Sequence, residues 1–552
     1  MIPGKDELLF LPLGGAGEIG MNLNLYGHAG RWLAIDCGVT FGDDTTPGIE
    51  LIMPDPSFIV EQHDRLVGLV LTHAHEDHLG AVPYLWPRLQ CKVYATPFAA
   101  AVLRRKLKET SLQEKVPIVE LPMSGHVSLT PFDLELVTLT HSIPEPNAVV
   151  IRTELGTVLH TGDWKLDPEP LVGPLTDEAA LRRLGEEGVL AMVCDSTNAL
   201  VPGASGSESE VREGLMKLVA GRRGRVAVAC FASNVARLET AALVAAAHGR
   251  SAALVGRSLY RMEEAARETG YLEGLPAFVE EHDIGFLPRE AILMVCTGSQ
   301  GEPRSALARI ARGQHPHVTL DPGDTVIFSS RVIPGNERAI ARLQDDLVKL
   351  GVEVVTTRDA FVHVSGHPAR EELATMYGWV RPRIAVPVHG EHRHMQAHAM
   401  LALECQVPEA VVIGNGQAVR LAPGRAEIVG EVPSGRLALD GTMLVPLSGG
   451  LMRERHRLAF SGTVMATVVV DRRGDLVADP QISAPGLVDP ADGTELLADL
   501  QDAIRDAIED ADSPTRRDDP ALRELLRRAV RRTAHGTLGK KPLTDIHLVR
   551  LP

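Results

Sequence analysis

The chain has 552 residues, 44% of them hydrophobic and 23% charged, a globular balance that calls for at least two packed cores. A formal net charge of -16 excludes a protein that coats itself in nucleic acid, but not one whose single cleft gathers local cations. Six scattered cysteines without a CxxC pair argue against a disulfide framework or a thiolate zinc site, and neither a signal-peptide pattern nor an apolar run of the ~18 residues needed to span a membrane is present, so a cytoplasmic protein is expected.

In chain order, apolar stretches at 8–10, 22–26 and 32–35, separated by Gly-rich turns, predict a β-meander. The run 66–71 predicts a further strand, and directly after it stands Thr72-His73-Ala74-His75-Glu76-Asp77-His78. Side chains alternate in an extended segment, so His73 and His75 share a face, and a turn then brings Asp77 and His78 round the same point: half of a divalent-metal shell. More strands are predicted at 91–95, 134–139, 148–153 and 157–160, with a helix at 97–108, implying stacked layers of sheet and helix.

From about 205 to 362 short apolar strands alternate with helices, which reads as an inserted α/β domain; strand texture returns at 384–388, so the first domain is completed from both sides of the insert. The expected boundaries are 1–205 and 363–435 for the first domain, 206–362 for the insert, a Gly/Pro/Ser-rich linker at 436–455, and a small α+β domain at 456–552. That last domain carries an amphipathic helix (Leu497, Leu500, Ile504, Ile508) and a basic one (Arg527, Arg528, Arg531, Arg532).

A loop of four ligands cannot enclose two metals, and three more candidates stand at the ends of apolar strands: His141, Asp163 and His389. Each alone is a weak signal; together with the 73–78 cluster they are a strong one. Gly15 to Gly20 also fits GxGxxG, with Asp36 at the spacing of a ribose-binding acid, but 21–26 alternates as a strand where a dinucleotide fold needs a helix.

The HAHEDH cluster, His141 and Thr161-Gly162-Asp163 resemble the metallo-β-lactamase fold, and Cys194 to Asn198, His367 and Pro387-Val388-His389-Gly390 resemble motifs A, B and C of its β-CASP group. Within that group, Leu13 to Asn22, Cys296 to Pro303 and His363-Val364-Ser365-Gly366-His367 resemble the bacterial ribonuclease J family; the likeness is specific over about the first 435 residues.

The resemblance implies an α/β fold: an αββα sandwich with an inserted β-CASP domain and a small C-terminal α+β domain. It implies a metal-dependent ribonuclease, a 5′-to-3′ exonuclease on 5′-monophosphorylated single-stranded RNA that also cuts internally, in RNA maturation and decay. It implies two zinc ions per subunit, with manganese also accepted: His73, His75 and His141 on the first, Asp77, His78 and His389 on the second, Asp163 between them. Such a pair supplies an activated water and stabilises the attacking and leaving oxygens. His367, oriented by Asp195, is the expected proton donor to the leaving oxygen, with Asp77 the third catalytic residue; Ser233, Asn234, His363, Val364, Ser365, Gly366 and His367 are the expected phosphate seat. Arg257 stands as a candidate extra charge, His160 as structural, and His392, His394 and His398 as solvated helix positions. The C-terminal domain is expected to support a homodimer or dimer of dimers within an RNA-decay assembly, away from membranes. A β-CASP nuclease on DNA ends, a small-molecule metallo-hydrolase of the same fold and a non-catalytic scaffold remain alternatives, since no residue here reads a 2′-OH.

Overall fold

The computed structural model describes residues 1–43, 45–489 and 494–552. Chain contacts divide it into two compact units, Met1–Thr40 with Met53–Gly435, and Phe41–Ile52 with Arg436–Pro552.

In the first unit an eight-stranded sheet runs in the order Glu427–Glu431, Gln417–Ala422, Leu8–Gly14, Leu23–His28, Arg31–Ile35, Leu66–Val70, Val93–Ala95 and Ile118–Glu120. A seven-stranded sheet follows the order His126–Leu129, Phe132–Thr138, Asn147–Thr153, Gly156–His160, Ala191–Asp195, Ile384–Val388 and Glu409–Ala410. Their strands read as unbroken apolar runs, such as Ala148-Val149-Val150-Ile151, because both faces are covered. The pleat sends alternate residues to opposite sides. Val149, Ile151 and Val158 join Phe10, Tyr26 and Ile35 between the sheets. Ala148, Val150 and Leu159 face outward onto Leu181, Leu184, Leu373 and Met376 of the helices Glu178–Glu187 and Arg370–Val380. The helix Pro97–Lys108, which begins with a proline at its first turn, packs on the strands Val93–Ala95 and Ile118–Glu120. The layers are helix, sheet, sheet, helix: the αββα sandwich.

Between Asp195 and Arg370 the chain builds a parallel sheet in the order Ser251–Val255, Ile292–Cys296, Val226–Ala229, Thr325–Phe328 and Glu353–Val355. One face packs Met294 and Val326 on Leu343 and Leu347; the other packs Val228 and Val295 on Leu238 and Val244. The chain then returns as Ile384–Val388, parallel to Ala191–Asp195, with Asp195 opposite Val388. Departure and return therefore share one end of the sandwich, and this brings the 195–198, 363–367 and 389 segments together.

The second unit departs from the expected linker. Residues 436–446 form a hairpin of Arg436–Asp440 and Met443–Pro446, followed by the helix Gly450–Ser461. Gly441, at φ 60°, makes the tight turn, and Gly/Pro/Ser content does not distinguish such a hairpin from a flexible joint. Residues 41–52, expected with the first domain, belong to this unit, because the strand Leu51–Pro54 pairs into the hairpin's sheet across nearly four hundred residues that local pattern cannot see. The rest is α+β. Thr463–Val470 lies between parallel Leu543–Arg550 and antiparallel Gln481–Ser483, and the helices Thr494–Glu509 and Asp519–Leu538 bury Leu500, Ile504, Leu522, Leu526 and Val530 against it. Leu496 rather than Leu497 completes the buried helix face, and Arg527 and Arg528 pair with Glu524. No helix among the described residues is long and apolar enough to cross a membrane.

Candidate active site

Strand ends supply the site. His73 and His75 follow Leu66–Val70, His141 follows Phe132–Thr138, Asp163 follows Gly156–His160, Asp195 ends Ala191–Asp195, and His389 follows Ile384–Val388. His73 Nε2 and His141 Nε2 each lie 3.0 Å from His75 Nδ1. Asp163 Oδ2 lies 4.0 Å from His73 Nε2 and 4.0 Å from His141 Nε2, 3.1 Å from His78 Nε2 and 3.4 Å from His389 Nε2. Asp77 Oδ2 is 3.8 Å from His78 Nε2 and 3.6 Å from His389 Nε2. Two donor groups result, His73, His75, His141, Asp163 and Asp77, His78, Asp163, His389, with Asp163 common to both.

These residues fit divalent cations. Tetrahedral zinc with bonds of ~2.0–2.1 Å sets neighbouring nitrogens about 3.3 Å apart, close to the spacing of the three imidazoles. Asp163 Oδ1 and His389 Nε2 are buried without a hydrogen-bond partner, a cost that a cation would relieve. Burial pushes His75 down to about 4 and His73 and His141 well below the usual imidazole range, so all three present the neutral form that binds metal.

The cage is tied from behind. Asp36 accepts from His78 Nδ1 at 2.7 Å and from the Thr72 N–H at 2.8 Å, and the Asn22 side-chain nitrogen lies 2.9 Å from His389 Nδ1 and 3.2 Å from His78 Nε2. A Cβ on Gly38 would sit 1.7 Å from the Asp77 carbonyl oxygen, so only glycine lets the 76–78 turn approach. Asp36 (φ 63°) and His389 (φ 51°) are held in the left-handed region, strain of the kind that surrounding contacts sustain at functional sites.

Beside the cage, His367 Nδ1 donates to Asp195 Oδ2 at 2.8 Å, a pair whose chemistry suits proton handling, and both residues also stand within a third donor group with Asp163 and His389. Burial lowers the His367 imidazole, but the Asp195 and Asp163 carboxylates outweigh it and carry it up to about 9. His367 does not cap the following helix, which starts at Arg370 with Ala369 at its N-cap. Its backbone N–H donates to Ser365 Oγ at 3.2 Å, and Asn198 Nδ2 holds both Ser365 Oγ (2.8 Å) and the His367 carbonyl (3.0 Å). The Gly366 carbonyl accepts from His141 Nδ1, and a Cβ on Gly366 would lie 2.8 Å from that ring.

The expected phosphate seat is only partly as read. His363 is part-buried, with both ring nitrogens buried and unpartnered, and burial of the imidazole with the neighbouring Arg237 pushes it down to about 3. Asn234 is committed elsewhere: its side chain caps the helix Val235–Ala247 through the Arg237 N–H and donates to Glu208 Oε1 at 3.3 Å. Val364 sits in the hydrophobic core of the insert. Arg257 is exposed at the start of the helix Arg257–Glu268. Under the seat, Arg237 pairs with Glu208 at 2.9 Å and Lys165 with Asp167 at 2.8 Å, all four buried.

Two further readings change. His398 is fully buried between Ser196 Oγ (2.9 Å) and Tyr377 OH (2.8 Å), and His394 is buried too, because the helix His392–Glu404 lies on the sandwich; only His392 is solvated. His160 is hydrogen-bonded to Tyr26 OH at 2.9 Å. Gly15 to Gly20 precede no helix: Ala16–Gly17 pairs with Gly390–Glu391. Asp36 and Asn22, which position the ligands, received no such role from sequence. Asp36 directly follows the strand Arg31–Ile35 and so carries the same strand-end signal as the ligands.

Comparison with known proteins matches residues 22–211 to the metallo-beta-lactamase superfamily, 223–347 to the ribonuclease J beta-CASP domain, 351–408 to the Zn-dependent metallo-hydrolase RNA specificity domain and 450–550 to the ribonuclease J C-terminal domain. The chain is 47% identical over 551 residues to ribonuclease J of Sinorhizobium meliloti, covering 99% of this chain and 98% of that one. It is 42% identical over 542 residues to ribonuclease J of Mycolicibacterium smegmatis (96% and 95% covered) and 36% identical over 531 residues to ribonuclease J 1 of Streptococcus pyogenes (95% and 94%). A solved protein of unknown function from Enterococcus faecalis shares the fold, with TM-score 0.54 at 15% identity over 75% of this chain and 100% of that one.

Proposed function

The chain belongs to the ribonuclease J family of metal-dependent ribonucleases, and from that premise we propose that it trims single-stranded RNA 5′-to-3′ from 5′-monophosphorylated ends, with internal cutting as a second mode. The observation that carries this reading is the convergence of five imidazoles and Asp77 on the Asp163 carboxylate at one end of the sandwich.

In this reading His73, His75 and His141 would hold one zinc ion, Asp77, His78 and His389 would hold a second, and Asp163 would serve both; the all-N/O donor set suits zinc and would also accept manganese. Such ions supply Lewis acidity that activates water and offsets charge on the phosphate oxygens. The protein's own part is positional and protonic. Asp36 and Asn22 fix the ring orientations of His78 and His389. Asp195 holds His367 by its Nδ1 proton, which leaves Nε2, without a protein partner among the described residues, to give its proton to the leaving 3′ oxygen. The carboxylates around His367 keep it protonated near neutral pH, the form an acid requires. His363 and Ser365 with the Gly366 backbone seat the 5′ phosphate. The protein works in the cytoplasm in RNA maturation and decay, as a homodimer or dimer of dimers supported by its C-terminal domain.

The test is product analysis on 5′-monophosphate RNA labelled at either end. Mononucleotides released from the 5′ end are expected; discrete internal fragments alone would reject 5′ trimming as the main mode. For the assembly, light scattering on a chain ended at Gly450 should show a smaller oligomer, and an unchanged one would remove the C-terminal role.

A further inference from the structure

The charges around His363 do not balance. Glu208 is matched by Arg237 and Asp167 by Lys165, each pair buried and in direct contact. Arg331, in the loop after the strand Thr325–Phe328, is the third cation whose field reaches His363, and no carboxylate among the described residues pairs with it. Its one side-chain bond among the described residues runs from Nη1 to Asn198 Oδ1. Nε and Nη2 have no partner among the described residues, and the residue faces solvent. The loop is anchored: the Arg331 carbonyl accepts from Gln300 Nε2 at 2.8 Å.

Asn198 joins this guanidinium to the remainder of the site. The amide that meets Arg331 through its oxygen uses its nitrogen to hold Ser365 Oγ at 2.8 Å and the His367 carbonyl at 3.0 Å. A planar fork with unused N–H groups therefore stands one amide away from the seryl hydroxyl and the proton donor, and the segment that carries Ser365 also carries His363, whose two ring nitrogens are buried without partners. Both features lack the same thing, an anion with several acceptor oxygens.

We propose that Arg331 is the residue that discriminates between RNA ends, its guanidinium binding the terminal 5′-monophosphate together with His363 and Ser365. The inference rests on the 5′-monophosphate reading above and names the charge that would enforce it. A terminal monophosphate carries close to two negative charges at pH 7 and three free acceptor oxygens, an internal diester one charge and two. An uncompensated fork rewards the first more than the second. Asn198 keeps the fork in register with Ser365, so Arg331 acts on substrate seating rather than on the proton transfer.

The experiment compares kcat/KM on the same RNA with a 5′-monophosphate and with a 5′-hydroxyl, using full-length, metal-loaded wild type, Arg331→Gln and Arg331→Lys. Loss of a charge-assisted pair predicts that Arg331→Gln lowers the monophosphate-to-hydroxyl ratio about tenfold, through KM more than kcat, with Arg331→Lys in between. Uridine 5′-monophosphate should inhibit wild type more tightly than it inhibits Arg331→Gln. If wild type discriminates and both variants keep its ratio, Arg331 is not the reader while the monophosphate reading stands. An equal loss on both substrates assigns Arg331 to internal phosphates and overturns the proposal. A wild-type ratio near one removes the monophosphate reading and this inference with it. Should Arg331→Gln melt early, Arg331→Lys decides alone: a ratio lowered severalfold supports the proposal and an unchanged one rejects it.

Discussion

The imidazole cage and the pocket around His363 use the same kinds of residue and treat them oppositely. In the cage, ligands are held from behind: His78 by Asp36, His389 by Asn22, His141 by the Gly366 carbonyl. In the pocket, His363 has no partner on either nitrogen and Arg331 keeps most of its donors open. A site that must hold a cation in fixed geometry needs its orientation built in. A pocket that takes up and releases an anion, as the proposed phosphate seat would, leaves its donors unsatisfied until the anion arrives, and it bears a cost in stability for doing so.

The largest effect should come from breaking the cage. Asp163→Ala and His75→Ala are expected to lower turnover by about ten-thousandfold or more, with bound metal lost by elemental analysis, since these side chains would hold the ions that supply Lewis acidity to the proposed hydrolysis. A variant retaining near wild-type rate would dissolve the contrast at its stronger pole. Next, His367→Ala should keep its metal and lose about 10²–10⁴-fold in kcat, the scale of one proton donor; a wild-type rate would reject its role. The same dyad fixes a pH limb. The acid form of His367 exists below its pKa, so rate is retained at lower pH and lost as pH rises through a value no higher than about 9, since cations held by Asp163 would offset part of the carboxylate effect. Asp195→Asn removes a raising charge and should move that limb toward lower pH; an unmoved limb would show that another group governs it.

Smaller effects sharpen the comparison. Asp36→Ala, which unties His78 without removing a ligand, should weaken metal affinity by about 10–100-fold, read by competition with a chelator; undiminished affinity would show that the ties are unnecessary. His363→Leu should behave differently from any cage variant: melting at or above the wild-type temperature, because an unpartnered buried imidazole is replaced by an apolar group, while the preference for monophosphorylated ends falls. A clear drop in melting temperature would mean that His363 is a structural residue.

Much of the site was legible in the chain because metal binding restricts residue type so severely. Three histidines and an aspartate in seven positions after an apolar run, with His141, Asp163 and His389 at other strand ends, need only the rule that ligands sit where strands stop. The same rule applied upstream would have given Asp36, which was weighed instead as a ribose-binding acid. His398 is core rather than solvated, and Asn234 caps a helix beside the seat; neither shows in the sequence, because a polar residue near a motif looks the same whether it faces a ligand, caps a helix or hydrogen-bonds in a core. The hairpin at 436–446 and the strand Leu51–Pro54 were missed because turn-forming residues mark a reversal without saying what pairs with it.

By itself, then, the sequence determined which side chains offer metal-donor atoms, that they stand at strand ends, and that an α/β insert interrupts the first domain, because local periodicity and donor type are properties of neighbours along the chain. Only the tertiary structure decided that Asp195 lies opposite Val388, that Asn198 bridges Arg331 to Ser365, and that His363 is left unpaired, because each depends on strand register and loop approach between segments more than a hundred residues apart.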